Sequence, residues 1–176
     1  MKRGQISKKG QIWVETIIYT LIAVSMIAAV LFFVQPKIKE LQDKTIISQS
    51  IEVMRYIDSI IAEVGQGVPG NKREFEVGIK KGTLTFDGKD DKIIFKIKSN
   101  YEYSEPEIAI NEGDLEILTT KKGEDITVTL TVNYTQYDLK YKGEDEVKIL
   151  PAASTPYRVL ISNEGSAPLK INIEIA

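Results

Sequence analysis

Eighteen consecutive residues, Ile17 to Val34, carry no charge. Wound as an α-helix at about 1.5 Å per residue they reach roughly 27 Å, close to the hydrocarbon thickness of a bilayer. A core helix of a soluble domain keeps a polar stripe, but this one is apolar nearly all round. Such a helix belongs in lipid or in the interior of a protein assembly. Beside it stands one acid, Glu15. A charge at the centre of a spanning helix costs roughly 2.5–3.5 kcal/mol even on lenient insertion scales, so an acid near its start calls for a partner.

The flanks orient the segment. The first ten residues hold Lys2, Arg3, Lys8 and Lys9 and no acid, while Lys37, Lys39 and Lys44 beyond the run are offset by Glu40 and Asp43. The positive-inside rule predicts a cytoplasmic N-terminus and an external C-terminal portion, hence a cell-membrane precursor. Without the first ten residues the chain has 19 basic against 25 acidic side chains. An acidic body argues against a nucleic-acid surface, so no nucleic-acid partner is expected. The chain contains neither cysteine nor histidine. That excludes thiolate and imidazole metal sites, cysteine nucleophiles and histidine-based triads, and any disulfide staple.

A secretory signal peptide has a shorter apolar core and then a small-residue cleavage site. Here the apolar helix runs straight into charged helical sequence, which leaves two readings. One is an uncleaved single-pass anchor displaying an extracellular β-sandwich for binding or adhesion. The other is a chain cut before the apolar segment.

The stretch Lys8-Lys9-Gly10, Gln11, then Glu15 resembles the class III (prepilin-type) signal peptide of archaeal type IV pilin-like proteins. The resemblance implies cleavage by prepilin peptidase after Gly10, with Gln11 as the first mature residue and Glu15 as the fifth. A similar string at Lys2-Arg3-Gly4-Gln5 puts Lys9 at the fifth place and precedes no apolar helix. Trp13 and Tyr19 stand where many archaeal members have Ser and Leu. The likeness covers about residues 8–36. In that family such a Glu pairs with the α-ammonium of a first residue, commonly on a neighbouring subunit. Gln11 and Glu15 are spaced i, i+4, so they share a helix face. The implied partners are further copies of the chain or co-assembled pilins in an extracellular filament, the membrane, the peptidase and the pilus assembly machinery. The implied role is structural and non-enzymatic, and no cofactor is expected. Thr16 and Thr20, and Ser25 and Ala29, are also four apart, a spacing that lets helix backbones approach closely.

Organisation follows from periodicity. A leader at 1–10 and an apolar helix at 11–35 precede Pro36, which predicts a kink. Over 36–64, Ile47, Ile51, Met54, Ile61 and Val64 recur at helical spacing, with Ile46, Val53, Ile57 and Ile60 broadening the face. Glu52, Arg55, Asp58, Ser59 and Glu63 lie opposite, so an amphipathic helix is predicted, ending at Gly65 and Gly67. From residue 73 the period becomes two: Phe75, Val77, Ile79; Ile93, Phe95, Ile97; Ile126, Val128, Leu130, Val132; Leu169, Ile171, Ile173, Ile175. With Gly88, Gly113, Gly123, Gly143 and Gly165 as punctuation, eight to ten strands are predicted over 71–176. The expected fold class is α+β: a long N-terminal α-helix, then an antiparallel β-sandwich-like domain packed against its second half. The 150s, LPAASTP, are expected to be a crossover loop.

Other chemistry in the outer domain is thin. Asp87-Gly88-Lys89-Asp90-Asp91 offers oxygens to a hard cation but falls where a hairpin turn is expected, and Glu144, Asp145 and Glu146 fall in another turn. Neither is assigned a metal. Tyr101, Tyr103, Tyr134, Tyr137 and Tyr141 suit an adhesion face or half-buried strand positions. Asn133-Tyr134-Thr135 is an Asn-x-Thr triplet, an N-glycan acceptor at Asn133 or a coincidence of composition; both readings stay open.

Overall fold

The structure, a computed structural model, describes the backbone from Lys8 to Ile175 and the side chains from Trp13 to Ile175. Helix α1 (Lys8–Gln66) holds 59 residues with Pro36 inside it. Between Gln11 and Val64 there is no glycine and only this proline, so nothing else interrupts helix propagation. Pro36 lacks an N–H and deprives the Phe32 carbonyl of its i+4 donor, yet α1 continues through it. The chain divides into two compact units, one ending at Lys39 and one beginning at Glu40.

In the second unit the predicted face of α1 is buried: Ile47, Ile51, Met54, Ile57, Ile60, Ile61 and Val64 are each at most 7% exposed. Ile46 and Val53 are partly buried against the same core. The helix stops where the glycines begin, with the Gly67 amide donating to the Val64 carbonyl at 3.2 Å. Its last carbonyls also receive the buried Asn163 side chain. Asn163 Nδ2 donates to Val64 O at 3.1 Å and to Gly67 O at 3.0 Å, closing groups that a helix end leaves open.

Ten strands follow: β1 (Lys72–Val77), β2 (Thr83–Asp87), β3 (Lys92–Ser99), β4 (Ala109–Glu112), β5 (Leu115–Lys122), β6 (Asp125–Asn133), β7 (Tyr137–Tyr141), β8 (Val147–Pro151), β9 (Tyr157–Gly165) and β10 (Leu169–Ile175). They form a four-stranded sheet, β1-β9-β10-β7, and a six-stranded sheet, β4-β5-β6-β3-β2-β8. The α+β class is as predicted: one long helix, then a domain of two mostly antiparallel sheets. The exception is β10 against β7, which is parallel, Leu169 opposite Tyr137. Residues 152–156 carry the chain from β8 in one sheet to β9 in the other, where the crossover was expected.

Alternation decides which face each strand buries. Phe75 and Val77, Ile93, Phe95 and Ile97, Val128, Leu130 and Val132, and Ile171 and Ile173 join the α1 face in one hydrophobic cluster. The threonines of β6 point the other way. Four of the five punctuating glycines, Gly113, Gly123, Gly143 and Gly165, have positive φ, which glycine adopts at no steric cost. Gly88 is needed for a different reason: an added Cβ would lie 2.8 Å from the Leu139 carbonyl oxygen.

Candidate assembly interface

Every described residue from Trp13 to Lys39 is exposed. Among these, Trp13 is 73% exposed, Phe32 77% and Phe33 73%. None of the apolar stretch of α1 is buried, and the helix is long and apolar enough to cross a membrane. Covering a Leu, Ile or Phe side chain stabilises by about 1.5–3 kcal/mol, so a run of this length is stable only under lipid or protein.

The charge and the small residues occupy distinct faces of this segment. At about 100° per residue, Thr16 and Thr20 lie nearly opposite Ser25 and Ala29. Thr16 and Thr20 sit in a shallow groove whose other walls are Trp13, Ile17, Leu21 and Val24. Glu15 projects from the far side, about 170° from the centre of that groove. Two hydroxyls are turned back onto the helix: Thr20 Oγ1 donates to Thr16 O at 2.8 Å and Ser25 Oγ to Leu21 O at 2.7 Å. Satisfied in this way, these residues offer small contact surfaces and bring no stranded donor into an apolar setting. The side chains of Lys8, Lys9, Gly10 and Gln11 lie outside the described residues. The backbone at these positions belongs to the first turn of α1.

The outer domain's polar clusters do structural work. Asp87 Oδ1 accepts from the amides of Lys89 and Asp90 at 3.1 and 3.2 Å. Asp91 Oδ1 accepts from the Leu139 amide at 2.8 Å. The Asp87–Asp91 segment is therefore the expected β2–β3 turn, tied by Asp91 to β7. Asp145 pairs with Lys140, which also holds Asp138 at 2.8 Å. Of the five tyrosines, Tyr134 and Tyr141 are buried, and Tyr101, Tyr103 and Tyr137 pack against the core. Buried or half-buried strand and loop positions describe them.

Two buried or half-buried carboxylates on α1 were not singled out by the sequence. Asp43 is 4% exposed. Its Oδ2 accepts from both the backbone amide and the side chain of Asn100, each at 2.7 Å, and its Oδ1 pairs with Lys81. Burial alone raises the Asp43 pKa, but the hydrogen bonds from Lys81 and Asn100 outweigh it and hold the carboxyl below its ordinary value. Asp58 accepts from the Tyr134 hydroxyl at 3.1 Å. Burial dominates there and pushes its pKa up, the Tyr134 hydrogen bond offsetting only part. Asp58 was expected on the face opposite the apolar stripe, but the structure leaves it only half-exposed because it accepts from the buried Tyr134; the partners of both acids are remote in the chain.

Fold and exposure together describe an α+β protein in which one apolar N-terminal helix among the described residues is long and apolar enough to cross a membrane, followed by a two-sheet domain. No family model, no curated protein and no solved structure matches the chain.

Proposed function

We propose that this protein is a structural subunit of an archaeal type IV pilus-like surface filament, made as a membrane precursor and cut by prepilin peptidase after Gly10. The observation that carries the proposal is the junction of a basic leader ending in Gly10, Gln11 and Glu15 with an apolar helix having no buried residue among those described. Cleavage creates an α-ammonium at Gln11, one helical turn from Glu15. In a low-dielectric bundle, removing one partner of such a pair typically costs about 3–5 kcal/mol. A subunit at the wrong height leaves its carboxylate unpaired, so the pair acts as a register device. The non-equivalent faces of the helix suit neighbours that differ on its two sides, as in a heterologous assembly that does not close. Moving from lipid into the filament exchanges one apolar setting for another. Packing, the ion pair and outer-domain contacts therefore decide the direction, with assembly machinery supplying work. The outer domain faces outside.

Terminal sequencing and intact mass of native protein give the first test, with chains expected to start at Gln11. Glu15→Gln is expected to lower filament yield at least tenfold while leaving the precursor in the membrane at its normal level. Chains that keep Met1, with Glu15→Gln silent, identify an uncleaved anchor and overturn the filament.

A further inference from the structure

Asparagine at a strand end or turn ordinarily has one of two structural duties: its side chain hydrogen bonds nearby groups, or its backbone takes positive φ. Asn100, Asn163 and Asn172 perform the first, bonding Asp43, Val64 and Glu174. Asn133 performs neither, and unlike Asn71 and Asn111, which are equally idle, it has a hydroxyl residue two places on. Its φ is not positive, and its side-chain amide has no partner among the described residues. It closes β6, where β5 pairs no further than Val132, and its side chain is exposed. The residue after it is the reverse. Tyr134 is 4% exposed, with its amide on Asp91 O at 2.8 Å and its hydroxyl on Asp58. Thr135 is again exposed, in the turn before β7. A locked, inward Tyr134 thus holds an unoccupied Asn amide and the hydroxyl two residues on at the surface.

We propose that Asn133 is an N-glycosylation site of the outer domain, a proposal that rests on that domain facing outside. The co-reactant is an oligosaccharide linked through phosphate to a membrane lipid. Asn133 Nδ2 forms a bond to the anomeric carbon, the anomeric carbon–phosphate oxygen bond breaks, and the lipid phosphate leaves. The amide gives up one proton to a base on the transferase, and no oxidation state changes. Because Val132 and Tyr134 face the core, the sugar projects from the outer face of the six-stranded sheet, beside Lys92, its partner in the register. The modification therefore asks no core residue to move.

Peptide mapping of the native, surface-derived protein tests this. The peptide containing Asn133 is expected to carry an oligosaccharide mass, absent in Asn133→Gln and Thr135→Ala and retained in Thr135→Ser, which keeps the acceptor hydroxyl. Asn133→Gln is expected to leave the melting temperature within about 1 °C of the unmodified wild-type chain, since its side chain is exposed and makes no hydrogen bond among the described residues; a larger drop assigns Asn133 a structural duty and counts against the site. An unmodified Asn133 in chains that protease shaving shows to be outside the cell overturns the glycan alone. Chains that are unmodified, uncut after Gly10 and protected inside the cell overturn the surface reading itself, and the glycan with it.

Discussion

Asp43 and Asp58 both lie on α1, and they bias stability in opposite directions with pH. The lowered pKa of Asp43 contributes stability that is fully present above the unfolded value near 3.8 and is lost as pH falls through the folded value. The raised pKa of Asp58 does the reverse: the folded state holds its proton longer, so stability falls as pH climbs from 3.8 to the raised value. Asp43→Asn faces Lys81 and Asn100 with an amide in place of a carboxylate, and is expected to cost about 2–3 kcal/mol at neutral pH. That cost should shrink as pH falls below 3.8 and through the lowered folded value. Asp58→Asn keeps an acceptor for the Tyr134 hydroxyl and sheds a poorly solvated charge, so it should be neutral or stabilising at pH 7. Denaturant midpoints of the three proteins between pH 3 and 8 check both slopes. Neither role was legible beforehand, because Asn100 and Lys81 are distant in the chain and short-range patterns do not name such partners. Glu15 differs: the partner proposed for it rests on the resemblance of Lys8-Lys9-Gly10-Gln11 and Glu15 to a class III signal peptide, all within eight residues.

Periodicity carried most of the elements. The buried stripe on α1, the alternation of β3 and β6 and the glycine turns translate directly into faces and reversals, because helix period, strand period and positive φ are local properties. β4 has no buried residue and β8 only Leu150, so alternation offers little for either. Both are edge strands of the six-stranded sheet, held by one neighbour each. Glycines also differ in what they tolerate. Gly82 has φ of +92°, and an added Cβ would sit 2.3 Å from the Lys96 carbonyl oxygen; Gly113 has φ of +68° and open space. Gly113→Ala should cost about 1–2 kcal/mol, the left-handed penalty alone. Gly82→Ala adds a backbone clash at the β2 entry and should cost at least about 3 kcal/mol. Thermal melts of the two variants give the comparison, and equal costs would remove the clash from the account.

For the molecule as a whole, the two units have different physical requirements. The hydrophobic cluster draws only on residues from 46 onward, and no described residue from Trp13 to Lys39 is buried. Residues 40–176 expressed alone should fold cooperatively, with a melting temperature within a few degrees of the full chain in detergent, whereas the full chain should need detergent or lipid to stay dispersed. Calorimetry of both decides the matter, and loss of the cooperative transition on truncation would show that the apolar segment contributes to the domain's stability. By itself the sequence determined the apolar span, the order of charges around it, the amphipathic face and the turn positions, since each is written in residues within a few places of one another. Only the tertiary structure decided that β10 lies parallel to β7, that Asn163 closes the helix end, that Asp43 meets Lys81 and Asn100, and that Asn133 is left outward and unpartnered. Those outcomes depend on which distant surfaces bury each other best, and neither propensity nor period records a choice of remote partner.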